Sequence, residues 1–390
     1  MEKVKRVVFT VSNDLNYDQR MQRICTTLHQ AGYDVTLVGR NRKSSKPLVP
    51  QPYKQVRLNL WFDKGKLFYV ELNLRLFFYL LTKPFDVVCG IDLDTVVPCW
   101  SVSRLKARTC VYDAHELFTE VPEVIDRPSV QQFWKAVESF IVKRVKYFYT
   151  VSESVAEEFA KRYGNKPKVI RNLPLRSNKA PVSLSLSKTG YDEAASTSHF
   201  ESHSVTRTPL KHTIIYRGAV NAGRGVEQTI EAMTFINDVD ILIAGDGDLL
   251  EEAKQLAQRR NVNDRVKFTG YATPDELNHY TKSAWLGLNL LDDSSANYRY
   301  SLANKFFDYI QCGVPQLTMR FPEYERVNAQ YNVAVLLDDM KPETIATAVN
   351  NLLRSPDRYS ELQLNCIKAA ADLCWENERT KLLDFYRNLP

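Results

Sequence analysis

No two cysteines of this chain stand in CxxC spacing. The seven that occur (Cys25, Cys89, Cys99, Cys110, Cys312, Cys366 and Cys374) are odd in number, scattered and mostly set in apolar runs. That spacing excludes a zinc ribbon or a redox pair, and they read as reduced, buried filler. Long uninterrupted apolar runs are also lacking. The most hydrophobic stretch, LWFDKGKLFYVELNLRLFFYLLTK (60–83), is too short in its apolar part and too charged to span a bilayer. The opening MEKVKRVVFTVSND has a strand-length apolar run and no small-residue cleavage site, so we expect no export signal and a cytoplasmic chain. Its basic residues are spread out and not gathered with aromatics into a recognisable module, so nucleic acid is not an expected partner.

What is present points to two globular cores. At 390 residues, with 44% hydrophobic and 25% charged residues, the chain is about twice the size of one compact domain. The formal charge of +6 suits a phosphorylated small molecule or an acidic membrane face and does not choose between them. Short β-branched runs alternate with amphipathic stretches. RVVFTVS (6–12), a helix over 19–31 and DVTLVG (34–39) open the series; strands at 85–90, 109–114, 147–152 and 168–172 follow. The alternation restarts at HTIIYRG (212–218) and continues with strands at 238–245, 266–270, 284–291, 314–319 and 333–337. This predicts an α/β fold of two Rossmann-like domains facing a central cleft. We expect an N-terminal acceptor-side domain over 1–174, a Ser/Thr-rich linker or loop over 175–211, and a nucleotide-sugar-binding domain over 212–372. A final helix over 373–390 is free to pack back on the first domain.

Four motifs in the second half carry the chemistry. GAVNAGRG (218–225) follows a strand and precedes a helix, a geometry suited to phosphate, with Gly218 opening the turn and Arg224 adding a full charge. IAGDGDL (243–249) turns at Gly245, Asp246 and Gly247, with Asp248 as a candidate helix cap. VKFTGYATPDEL (266–277) places Gly270 and Tyr271 ahead of a capping box at Thr273 and Glu276. SLANKFFDYIQCGVP (301–315) reads as a helix from Ser301 to Gly313, with Asn304 and Asp308 on one face and Lys305 beside them. A carboxylate at Asp308 suits a ribose diol and Lys305 suits a diphosphate; an ordinary surface Lys–Asp pair is the bland alternative.

In order and spacing these motifs resemble the nucleotide-binding half of GT-B glycosyltransferases of the family 4 type, over about residues 212–337. The resemblance implies that Arg224 contacts the diphosphate, that Gly270 and Tyr271 form the base-binding turn and that Asp308 holds the ribose. Lys305 matches a lysine of the family's NK-F-EY variant. It further implies sugar transfer from a nucleoside-diphosphate sugar, with retention, without metal and without a cofactor, in surface polysaccharide synthesis. Two positions depart from the pattern: Tyr300 stands where the first motif glutamate falls, and Ala219 replaces the first arginine of the glycine turn.

The first half supplies the facing side. Asn13, Asp14 and Arg20 resemble the family's first loop and helix, which sets them at the lip of the cleft, with Arg20 reaching toward the diphosphate. His115 and Glu116 follow a strand end; we expect a neutral His115 to contact the donor sugar, with Glu116 and Asp92 on the acceptor side. His115, Arg224 and Lys305 are thus the expected catalytic groups. Asp92 and Asp94 resemble a DxD metal motif of another fold, a reading rejected in favour of acceptor contact or helix capping. The aromatic stretch 60–83, near the basic RNRKSSK (40–46), reads either as a partly buried helix or as one that also dips into a membrane bearing a lipid-linked acceptor. Competing functions are a nucleotide-sugar epimerase and a non-catalytic partner subunit, the latter suggested by the missing glutamate.

Overall fold

The computed structural model describes residues 4–16, 18–176 and 212–390. Nearly all of the expected linker (175–211) lies outside the described residues. Two wholly parallel sheets carry the chain. The first has seven strands: β1 Arg6–Thr10, β2 Asp34–Asn41, β3 Lys54–Asn59, β4 Val87–Ile91, β5 Thr109–Ala114, β6 Tyr147–Thr150 and β7 Lys168–Val169, in the order β3-β2-β1-β4-β5-β6-β7. The second has six: β8 His212–Arg217, β9 Val239–Ala244, β10 Val266–Gly270, β11 Leu286–Asn289, β12 Gln316–Met319 and β13 Ala334–Leu337, in the order β10-β9-β8-β11-β12-β13.

Both orders reverse direction beside their first strand, between β1 and β4 and between β8 and β11. A crevice opens outside the carboxyl ends of the strands at such a reversal. Strands buried on both faces, such as β4 (VVCGI), explain why the sequence reads as continuous apolar runs there. The edge strand β3 is the exception: KQVRLN is half polar, is not one of the expected strands, and is held by its register with β2 from Thr36↔Lys54 to Asn41↔Asn59.

The last helix, Trp375–Arg387, leaves the second lobe and completes the first. Its Trp375, Leu382 and Tyr386 are buried in one core with Val7, Phe9, Ile24 and Tyr149, and Trp375 Nε1 donates to Thr27 Oγ1 at 2.9 Å. Two expected helix boundaries are corrected. The helix expected from Ser301 begins at Asn304, because Ala303 is still extended (φ −64°, ψ 139°) and a separate turn, Ala296–Arg299, precedes it. Asp248 does not cap the helix Leu250–Arg259: Leu249 occupies the cap position without a side-chain bond, and the Asp248 N–H is instead directed to Asn221 Oδ1 at 3.2 Å.

Candidate active site

A cavity of about 650 Å³ lies between the lobes, lined from the first by Asn13, Arg20, His115 and Glu116 and from the second by Gly218, Arg224, Asn304, Lys305 and Asp308. Nine of the residues singled out in the sequence therefore meet in one space, although they come from the ends of different strands and helices.

On the first-lobe side Arg20 and His115 share the carboxylate of Asp113. Arg20, on the helix Gln19–Gln30, is 4% exposed, and its Nη2 donates to both Asp113 carboxylate oxygens (3.1 and 3.4 Å) while Nη1 donates to the Ile170 carbonyl at 3.2 Å. It is neither a solvated arginine nor one with a free fork to offer a diphosphate. His115 Nε2 lies 3.0 Å from Arg20 Nε and 3.1 Å from Asp113 Oδ2, and one nitrogen serves only one of them. Charge decides. Burial lowers the pKa of the ring, but Asp113 and Asp92 outweigh it and hold it at about 9. The ring is thus cationic at neutral pH, with Nε2–H donating to Asp113. This corrects the expectation of a neutral imidazole: the sequence placed acids beside His115, but not that Asp92 and Asp113 flank the ring from two different strand ends.

The carboxylates behind the histidine belong to its mounting. Asp92 Oδ1 accepts the His115 backbone N–H at 2.8 Å. Asp92 is the first residue of the helix Asp92–Leu105 and not its cap, and burial drives its carboxyl pKa well up. Asp94 is buried beside it, its carboxyl pushed up to about 6 by burial. Asp14, expected at the lip, lines none of the cavity: Arg57 Nη2 donates to it at 2.6 Å and Ser45 Oγ also bonds to it, so it ties the loop after β1 to β3. Glu116 faces the second lobe, where Asn297 Nδ2 donates to it at 3.2 Å and burial raises its pKa.

The second-lobe side is different. Lys305 is 8% exposed, and its ammonium has no hydrogen-bond partner, resting 4.4 Å over the Tyr216 ring. Burial, then Arg224 and Arg217, depress its pKa to about 7. Arg224 Nε is likewise buried without a partner, and Arg224 forms no ion pair among the described residues. Two cationic groups without a hydrogen-bond partner on these atoms face each other here, and their mutual repulsion is relieved when an anion enters. The helix behind the glycine turn runs only over Val226–Ala232, so these side chains carry the positive charge.

Asp308 accepts from Arg217 Nη2 at 3.1 Å. Burial raises its pKa, and Arg217 and Arg23 pull against that. It also lines a second cavity of about 810 Å³ with Arg217, Pro274, Asn278 and Lys282, so the space continues past it toward the turn after β10. Asn304 Oδ1 accepts from Asn172 Nδ2 at 2.8 Å and bridges the lobes.

Gly245, Asp246, Gly247, Gly270 and Tyr271 do not line the first cavity. The first three support it from behind. A Cβ on Gly245 would meet the Gly218 carbonyl at 1.8 Å, and Val220 N–H donates to the Asp246 carbonyl at 3.0 Å, so the two glycine turns are pressed together. Tyr271 is 66% exposed. The sequence reading missed Arg217 and Asn297 as site partners, and saw Asp113 only as a neighbour of His115 and not as the partner of Arg20. Arg217 stands one residue before Gly218, a signal that was available; Asn297 lies 180 residues from the Leu117 N–H that donates to it, and no local pattern marks it.

Known proteins resemble the chain in both halves. Residues 19–173 match the family model of Glycosyltransferase Family 4, and residues 201–373 that of Glycosyl transferases group 1. Over 157 residues, 39% of this chain, the sequence is 26% identical to D-inositol 3-phosphate glycosyltransferase of Corynebacterium urealyticum, and the match spans 36% of that relative's length. In fold it is similar to sucrose-phosphate synthase from Thermosynechococcus elongatus, with a TM-score of 0.77 at 16% identity over 98% of both chains. It is similar also to Anabaena HepE in complex with UDP and glucose, with a TM-score of 0.74 at 12% identity over 98% of this chain and 99% of that one.

Proposed function

The chain belongs to the GT-B glycosyltransferases of the family 4, group 1 type, and from that premise we propose that it passes a sugar from a nucleoside-diphosphate sugar to a glycan or lipid-linked acceptor in surface-glycan synthesis. The observation that carries this reading is the unpartnered pair Lys305 and Arg224. A diphosphate supplies the charge that both lack, and it gains charge as the sugar leaves, so the pair stabilises the transition state more than the ground state. That anchoring makes the reading metal-independent. In this reading Asp308 accepts from a ribose hydroxyl and the base takes the space beyond it, beside Pro274 and Asn278.

The transfer balances without a protein base. The acceptor hydroxyl oxygen bonds to the anomeric carbon on the face from which the diphosphate departs. The bond from that carbon to the diphosphate oxygen breaks, and the departing oxygen takes the hydroxyl proton, which retains configuration. The cationic His115 donates a hydrogen bond to the sugar from the first lobe, and closure of the lobes excludes water that would otherwise hydrolyse the donor.

A thermal-shift panel against UDP, GDP, ADP and CMP and their sugar conjugates, with Arg224→Ala and Asp308→Ala alongside, tests this. The expected result is stabilisation by one nucleotide that both variants lose. No shift with any of them would favour the partner-subunit reading instead.

A further inference from the structure

The helix Gly65–Thr82 is apolar on two opposite sides and packed on only one of them. Phe68, Leu72, Leu76 and Leu80 are buried against the first sheet. On the opposite side Leu67, Val70, Leu74, Phe78 and Leu81, spaced three and four apart in one stripe, are 42% to 60% exposed. A contiguous apolar stripe of this kind marks an interaction surface, and no described residue buries it. Trp61, 84% exposed just before the helix, prolongs the patch. Among the described residues, no helix is long and apolar enough to cross a membrane, so insertion across a bilayer is not the use of this one.

The charges around the stripe select what covers it. Lys64 and Lys66 lie at one end and Lys83 at the other, all exposed. Of the acids on the segment, Glu71 is taken up by Arg75 at 2.7 Å and by the backbone N–H groups of Trp61 and Phe62, which leaves Asp63. A second copy docked antiparallel would set Lys64 and Lys66 against Lys83 and repel. An anionic surface meets cations at both ends and apolar side chains between them.

We propose that this face docks on the surface of an anionic lipid bilayer, with the helix lying in the interface and Trp61 at headgroup depth. The packed side of the same helix fixes the stripe to the body of the first lobe: Tyr69 packs edge-on against Trp134 at 5.5 Å, and Trp134 packs against Phe118 at 5.0 Å. The proposal stands on this surface alone and is separable from sugar transfer, because its readout needs no nucleotide.

The test is flotation of the full chain with vesicles of phosphatidylcholine alone or with about a third phosphatidylglycerol. Binding is expected to the anionic vesicles only, and to weaken as salt is raised. Leu74→Ser with Phe78→Ser is expected to weaken it by about tenfold or more at unchanged Tm, since both side chains are already exposed. Lys64→Glu with Lys66→Glu is expected to abolish the preference for the anionic vesicles. Absence of binding to either vesicle, equal binding to both, or undiminished binding by the serine variant would overturn the proposal. So would a dimer in size-exclusion chromatography that the serine variant dissolves, because a second copy would then be the occupant.

Discussion

The two walls of the cleft are built on opposite principles. In the first lobe Asp113 serves both Arg20 and His115; in the second, Lys305 Nζ and Arg224 Nε have nothing to pair with. Both walls are rich in charge, and a count of cations would treat them alike. The satisfied cluster orients a ring and ties a helix to a strand end, whereas the unsatisfied pair stores an electrostatic penalty that an incoming anion relieves. Burial of charge marks a binding group only where the partner is missing from the protein itself.

The sharpest way to break this comparison is Asp113→Ala. It leaves Arg20 buried without its carboxylate, and the expected loss is about 3 to 5 kcal/mol of stability, read from the denaturation midpoint. The counterpart on the other wall is Lys305→Met or Arg224→Ala. Transfer is expected to fall by about a hundredfold to a thousandfold, while the Tm of the free protein stays the same or rises, because a polar group without a protein partner has been removed. A large loss of Tm in Lys305→Met would show that the lysine is scaffold after all.

The same contrast should appear in pH dependence. The folded pKa of His115, raised from 6.5 to about 9, gives stability that is complete below 6.5 and lost as the pH rises through 9. Lys305, depressed from 10.5 to about 7, does the reverse: the unfolded chain holds a proton that the folded chain has shed, so stability rises with pH between 7 and 10.5. His115→Gln should therefore remove a downward slope between pH 7 and 9, and Lys305→Met an upward one. Diphosphate binding at pH 8 should also draw a proton onto Lys305, visible as a buffer-dependent enthalpy that Lys305→Met lacks. The smallest effect expected is from Asn297→Ala, which removes the Glu116 and Leu117 bonds across the cleft and should cost about 1 kcal/mol of stability, measured by chemical denaturation.

How much of this was legible in the sequence follows from distance along the chain. The two parallel sheets could be read because each buried strand is a local apolar run, and β3 escaped because Lys54–Asn59 is a polar edge held only by its neighbour. The cleft residues could be gathered because strand ends are local features too. What the sequence does not reveal is which charges are spent. Arg20 and Asp113 are 93 residues apart, and nothing near either one announces the other. Lys305 and Asp308 lie close enough to be taken for a pair, yet Asp308 binds Arg217 and leaves the lysine alone. Asp14 is expected at the lip because its segment resembles the family's first loop, while the Arg57 that claims it stands 43 residues on.

The closing helix has a consequence for how the protein is made. The apolar centre of the first lobe is finished by Trp375, Leu382 and Tyr386, which follow the whole second sheet in the chain and so are synthesised after it. The first lobe must therefore wait, with Phe9 and Ile24 incompletely covered, until the second lobe has been made. A nonsense mutation just ahead of Trp375 would then do its damage in the lobe made first, unravelling it while sparing much of the one made second.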